Sequence, residues 1–394
     1  MKRKYYLLIL SIFIFIMAFS TTGLAIEIND NSSFIKGITS YYNQNFDEAI
    51  VNLNKAIKNN NNEQIIVDSL YYQTLCYIGK NDIVKAKENI LKLKKMGYEF
   101  GIIHWKLGEV YLNKHKQFDS PFYNEAKKEL EKAYLLGINT TLFHRSLALV
   151  YKNLDELDKA EEEYEMIIAQ NGQAEDYINL ASIYKKLGKV NLAINTYEKA
   201  LDMTESTQNR ISIYSNLAEL YMNDKDYEKA IKVLEESKKI NPDFVAISTK
   251  LGEAYYLSGN YELAREEFEK VVSINDKSYK AYYYLGKIHE INHNEDKAIY
   301  YYKQALKYNP EYASAYIALG DIYIRQDKPY LAISHYSTAI EKNPNYPDSH
   351  FHLAVTYYIL EMEDAAIAEL KKTLHLNPNH RGAQKLLEKL TEGE

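Results

Sequence analysis

A step of 34 residues, taken forward or backward from Gly286, keeps landing on the same local sequence. Gly286 lies in YYYLGKIHE, Gly320 in YIALGDIY, Gly252 in TKLGEAYY, Ala218 in SNLAELYM and Ala354 in FHLAVTYY. Twelve residues beyond each stands an alanine: Ala298, Ala332, Ala264, Ala230 and Ala366. Upstream the period loosens, but the twelve-residue offset recurs in Ala181–Ala193, Ala148–Ala160, Thr74–Ala86 and Gly37–Ala49. Gly108 and Ala126 are eighteen apart, and the six additional residues fall around NKHKQFDSPFY, where Ser120 and Pro121 read as an N-cap and first helical residue. Longer connections between units are expected at KNNNNEQ and TESTQNR. A period of this kind restricts the chain to architectures in which one small unit, unable to bury its apolar face alone, stacks on the next.

The unit itself reads as helical. Only 7 prolines and 15 glycines interrupt a chain dominated by helix formers. The small residue at Gly286 and the alanine at Ala298 remove bulk where two helices cross closely, and Leu and Tyr fill the space around them at helical spacing. Tyr282, Tyr302 and their counterparts among the 38 tyrosines are expected to pack, with hydroxyls reaching solvent at the edge of a thin two-layer array. Cys76 is the only cysteine, which excludes an intramolecular disulfide and a thiolate zinc cluster. With 48 basic and 54 acidic residues, the net charge of −6 argues against a nucleic-acid partner.

The residues Tyr282, Leu285, Gly286, Ala298, Tyr302, Ala305 and Pro310 give the unit its resemblance to the tetratricopeptide repeat family, with His289 in place of the usual tyrosine. Ten such units cover about 30–378. Leu93, Ile167, Ser237, Val271 and Thr373 depart from the second alanine, and only Pro242, Pro310, Pro344 and Pro378 fill the proline position. The resemblance implies an all-α fold: an α-solenoid, or right-handed superhelix, of tandem helix-turn-helix repeats. The stretch 379–394, NHRGAQKLLEKLTEGE, reads as a C-terminal capping helix with Leu386, Leu387 and Leu390 facing inward.

Residues 1–25 are of a different character. Lys2, Arg3 and Lys4 precede an apolar run from Tyr5 to Phe19 and small residues ending in Gly23-Leu24-Ala25. This is the layout of a signal peptide, cleaved after Ala25 or retained as a membrane anchor; Ile26, not cysteine, follows the cleavage point. Together with a Lys-, Ile-, Asn- and Tyr-rich composition, it gives an expected location at a bacterial cell envelope, periplasmic, secreted or anchored. Membrane contact is expected only through this segment.

No phosphate loop, serine elbow or HExxH motif is present. His350 and His352 are two apart and point in different directions on a helix, and His375 and His380 straddle Pro378. His289 and His293 could share a face but lack an accompanying acidic motif, so they read as surface histidines. The run ELDKAEEEYE from Glu156 to Glu165 reads as a solvated helix face. No catalytic residue, metal ligand or cofactor is expected, and the chain reads as a non-enzyme.

By resemblance, first helices line a concave groove, and positions three before, one after and four after the small residue point into it. This implies an aromatic stretch of Phe34, Tyr41, Tyr71 and Trp105, then a basic stretch of Arg145, Lys152 and Lys185 with Lys186 beside them. Glu219, Glu253, Tyr256, Tyr283, Phe351 and Tyr358 follow. Family members that clamp a carboxylate terminus carry lysine and asparagine at paired groove positions; here the pairs are Phe34–Ile38, Tyr71–Leu75, Trp105–Glu109 and Arg145–Leu149, and none matches. The expected function is therefore an exported or anchored scaffold that binds a protein or peptide through its concave face. Two alternatives share that surface: an accessory subunit recruiting a cell-envelope enzyme or secretion machinery, and a binder of glycans or small ligands in an aromatic groove.

Overall fold

The computed structural model describes residues 28–115 and 122–391. Among these, all regular structure is helical, in two compact units divided after Lys189. In the first, α1 (Ile28–Tyr42) pairs with α2 (Phe46–Asn59), α3 (Glu63–Gly79) with α4 (Ile83–Lys95), α5 (Gly101–His115) with α6 (Tyr123–Leu135), and α7 (Thr141–Asn153) with α8 (Leu157–Asn171). The unit ends on α9 (Ala174–Lys186). The second opens on α10 (Val190–Asp202) and continues with the hairpins α11 (Thr207–Asn223)/α12 (Tyr227–Ile240) and α13 (Val245–Leu257)/α14 (Tyr261–Ile274). Next come α15 (Tyr279–Ile291)/α16 (Glu295–Tyr308), α17 (Ala313–Arg325)/α18 (Pro329–Lys342) and α19 (Pro347–Ile359)/α20 (Glu363–Leu376), then α21 (Arg381–Thr391). Residues 1–25, expected to form a signal peptide or anchor, lie outside the described residues, as do Ser120 and Pro121; α6 begins at Tyr123 with Phe122 in the N-cap position.

Nine of the turns between paired helices are built the same way. The residue seven past the small position takes a left-handed conformation: Gln44, Asn81, Asp155, Gly188, Lys225, Gly259, His293, Asp327 and Glu361 all have φ between 55° and 83°. The next backbone N–H then reaches back five residues, as from Asp226 to the Tyr221 carbonyl (2.8 Å) and from Met362 to that of Tyr357 (2.9 Å), the Schellman arrangement. That same residue starts the second helix, and at Asp82, Asp226 and Asn294 its side chain accepts from a backbone N–H of the first turn.

Inside a hairpin the small residue makes room for a side chain of the partner helix. A Cβ at Gly286 would stand 2.5 Å from Tyr302 Cε1, one at Gly320 2.4 Å from Tyr336 Cε1, and one at Gly252 2.8 Å from Phe268 Cζ. Tyr302, Tyr336 and Phe268 are accordingly among the largest fully buried side chains.

Contrary to the sequence-based expectation, the Tyr302 hydroxyl does not reach solvent: it donates to Glu290 (2.6 Å), and that of Tyr336 donates to Asp321 (2.6 Å). A second set of tyrosines ties four first helices, α7, α9, α11 and α13, to the second helix of the preceding hairpin. Tyr151 donates to Glu131 (3.2 Å), Tyr184 to Glu165 (2.8 Å), Tyr221 to Glu198 (3.2 Å) and Tyr255 to Glu235 (2.7 Å). Packing between hairpins thus rests on rings and hydrogen bonds as well as on glycine and alanine.

The charge run from Glu156 to Glu165 is solvated at Asp158, Lys159, Glu162 and Glu165, as expected, but neighbouring residues engage part of it. Glu163 is buried against His144, Glu156 accepts from Lys127, Glu161 from Lys189 and Glu165 from Tyr184. At the far end α21 packs Ala383 and Leu390, with Leu386 and Leu387 partly covered, against Ala354, Ala366 and Leu370.

Candidate binding surface

Successive first helices approach one another more closely than successive second helices do: α1 meets α3, α3 meets α5 and α5 meets α7 in the first unit; α11 meets α13, α13 meets α15 and α17 meets α19 in the second. This spacing puts the row of first helices on the inside of any bend within a unit, where side chains three before and four after the small residue meet the next first helix.

In the first unit, Phe34 and Tyr41 lean on the core of Ala49, Leu53 and Cys76, and Tyr41 meets Tyr72 edge-on at 5.3 Å. Tyr71 packs against Phe100 (4.9 Å between centroids) and Trp105 edge-on against Phe143 (6.0 Å). The basic stretch that follows is engaged within the array. Arg145 donates Nε and Nη2 to the two carboxylate oxygens of Asp176 (2.9 and 2.8 Å), a bidentate pair with the first turn of α9. Asp176 also accepts from the Gln173 backbone N–H (2.8 Å), completing the capping of that helix. Lys152 donates to Asn179 (2.8 Å), and burial pulls its ammonium below the usual lysine range. Lys186 faces Asp155 at 3.3 Å, and Lys185 is half-buried at the position equivalent to Lys152.

In the second unit, Glu219 pairs with Lys250 at 3.4 Å. Tyr256 and Tyr284 meet edge-on at 5.2 Å, Tyr283 and Tyr312 at 5.1 Å, and Tyr279 and Tyr312 at 5.0 Å. Burial pushes the Tyr312 hydroxyl up to about 12, and Tyr256, Tyr283 and Tyr284 are raised for the same reason, so these phenols stay neutral. Near the end, Phe351 packs on His380 (4.5 Å) and the Tyr358 hydroxyl accepts from Lys389 (2.6 Å).

Tyr279, Tyr284, Tyr312, Tyr346 and Phe100 were not anticipated. Tyr312, Tyr346, Phe244 and His380 share a signal that was available: each ends an Asn-Pro-x-aromatic (or His) tetrad. Phe244, Tyr312 and Tyr346 occupy the N-cap position of a first helix.

His104, His144 and His350 serve the packing. His104 Nδ1 lies 2.6 Å from Glu129 and His350 Nδ1 2.6 Å from Glu369, and His144 pairs with Glu163, in each case four residues before the small position and three after the second-helix alanine. His289, expected at the surface, stacks on Tyr301 (5.3 Å, 7°) and is held below the usual imidazole range by burial. Among the described residues no cluster of three His, Cys, Asp or Glu could hold a metal ion, and no helix is long and apolar enough to cross a membrane.

Tetratricopeptide repeat models match residues 249–278, 279–312, 313–346 and 335–368, and the model described as "Tetratricopeptide repeat protein 21 ARM repeat" matches 120–262. No curated protein matches the chain. Among solved structures, a tetratricopeptide repeat protein from Parabacteroides merdae is similar over 64% of this chain and 98% of its own, at 21% identity and TM-score 0.56. Yeast Tom70 is similar over 93% and 96%, at 14% identity and TM-score 0.51. At these identities the two likenesses speak for the fold, and with the family matches and the repeated hairpin they establish that the chain is built of tetratricopeptide repeats.

Proposed function

We propose that this chain is a non-catalytic scaffold that binds another protein by taking up an extended segment along the row of first helices within a unit. The observation that carries this reading is the set of partly exposed rings on that row. Phe34, Tyr71, Trp105, Tyr256, Tyr283, Phe351 and Tyr358 are half-buried, each braced by its neighbours and open on another side. Aromatic anchors fixed before the partner arrives lose little conformational freedom on binding. The pairing of Arg145 with Asp176 shifts weight from the basic middle of the predicted groove to its aromatic stretches.

The test is retention of peptides from a random-sequence library by the full chain and by two double variants, Tyr71→Ala/Trp105→Ala and Tyr256→Ala/Tyr283→Ala. Retention should fall at least about tenfold in one of them while helical content is kept, as expected for loss of two aromatic anchors. Unchanged retention in both folded variants would exclude this surface. Calorimetry with oligosaccharides separates the glycan-binding alternative. The leader pattern in 1–25 supports export, for which the N-terminal peptide of the mature protein, read by mass spectrometry, is the direct check.

A further inference from the structure

The tyrosine-walled part of the second unit holds a carboxylate of unusual standing. Glu253 on α13 immediately follows Gly252, and among the described residues it has no hydrogen-bond or ion-pair partner, although it is only partly exposed. Lys280 and Lys250 are near enough to act on it electrostatically, but neither comes within ion-pair distance; Lys250 is turned to Glu219 and to the Ser215 carbonyl (3.2 Å). Tyr284 and Tyr312 feel the Glu253 charge directly, Tyr256 stands one helical turn further along α13, and Tyr283 joins Tyr284 to Tyr312 through edge contacts of 5.5 and 5.1 Å. Burial raises the Glu253 carboxyl above the usual range, as befits an acid without a compensating partner.

A partly desolvated carboxylate costs free energy unless a cation meets it. Aromatic rings near it can add to that attraction through their quadrupoles. The neighbouring carboxylate Glu290 offers no competing site, since it already accepts from Tyr302 and faces Arg325 at 2.9 Å.

We propose that Glu253 and the surrounding Tyr256, Tyr283, Tyr284 and Tyr312 form a subsite for the side chain of a lysine or arginine in the bound segment. Charge complementarity selects this occupant: the rings would accept any apolar side chain, but an unpaired acid among them rewards only a cationic one. The inference rests on the peptide-binding reading above and makes it more specific, from an aromatic groove to one that reads a positive charge at a fixed place.

The experiment uses the full chain and an immobilised library of short peptides with acetylated N-termini, so that the only cations are side chains. Wild type should enrich peptides carrying lysine or arginine over otherwise identical ones carrying norleucine or citrulline by about tenfold, and salt should weaken that preference. Glu253→Gln, close in shape but neutral, should abolish the preference while leaving retention of the norleucine peptides unchanged. Tyr312→Leu should reduce it, and circular dichroism confirms that both variants fold. Peptide retention without a cation preference, or a preference that persists in folded Glu253→Gln, overturns the subsite and leaves the groove standing. No retention of any peptide by wild type overturns the groove and the subsite together.

Discussion

At the scale of single residues, the pairing of a small side chain with a large one was legible and its polar consequences were not. A glycine recurring every 34 residues announces a close approach, and the ring of Tyr336 beneath Gly320 is that approach. Gly320→Ala gains about 1 kcal/mol in helix propensity but overpacks the ring at a cost of about 1–3 kcal/mol. The hairpin with Ala148 opposite Tyr164 shows that a ring can accommodate the extra carbon, which places the net effect near the low end. Urea denaturation should give a loss of about 1 kcal/mol, and adding Tyr336→Leu, the Ala354–Leu370 solution of the next hairpin, should cost less than the two changes summed. The hydroxyl partners could not be read in advance, because whether Tyr302 meets water or Glu290 depends on rotamers and on how closely two helices lie. Tyr302→Phe should lower stability by about 1 kcal/mol, the worth of one hydrogen bond plus the carboxylate left behind. Glu253 adds a dependence on pH. Because its folded-state value lies above the unfolded one, the folded chain holds its proton more tightly between the two, and stability falls as pH rises through that window. The stability difference between Glu253→Gln and wild type should therefore grow in favour of the variant as pH increases from the ordinary carboxylate range; a difference that stays flat would mean the acid is already compensated.

At the scale of the element, helix positions followed from periodicity, but two features of the hairpin did not. The buried His–Glu pairs occur in only three hairpins and join residues nineteen to twenty-five apart, so no local pattern announces them. Likewise the contacts that engage part of the acidic run from Glu156 are hidden in the sequence because their partners lie outside that helix, among them His144, Lys127 and Lys189. The turn was equally hidden, since seven of its nine left-handed positions are not glycine. There a side chain strains the backbone by about 1–2 kcal/mol, while glycine concedes about 0.5–1 kcal/mol in unfolded-state entropy. Glu361→Gly, at φ 60° on the exposed turn between α19 and α20, should accordingly stabilise the chain slightly, by about 0.5 kcal/mol, visible as a higher urea midpoint with an unchanged slope. The same substitution at Leu353, buried in α19 one residue before the small position, should be strongly destabilising, which separates a conformational gain from a general tolerance of glycine.

At the scale of the whole molecule, the main contacts among the described helices join near neighbours in the chain: partners within a hairpin, the helix that follows, and the first helix of the next hairpin. Stability in such a chain is a sum of local terms, so a complete unit should be removable where the joints match. Residues 313–346 offer that test. They coincide with one family match and with the hairpin α17/α18, and their removal joins Tyr312 to Pro347, restoring the Asn-Pro-x-Tyr-Pro sequence that already leads into α19. The aromatic N-cap and the proline at the start of the helix are both regenerated, and α19 can seat on α16 through the same small and aromatic positions that α17 used. The shortened chain should keep its helical content per residue and unfold cooperatively at a somewhat lower midpoint. Deleting 329–342 alone, which removes α18 and strands the apolar face of α17 that Tyr336 and Ala339 cover, should instead give an aggregating or partly unfolded product. If both deletions fail alike in circular dichroism and analytical ultracentrifugation, contacts beyond near neighbours hold the second unit together and the additive description is wrong. If the clean deletion folds, the Glu253 subsite on α13 and α15 loses only the Tyr312–Ala313 junction, so its preference for cationic side chains can be measured in a chain one repeat shorter.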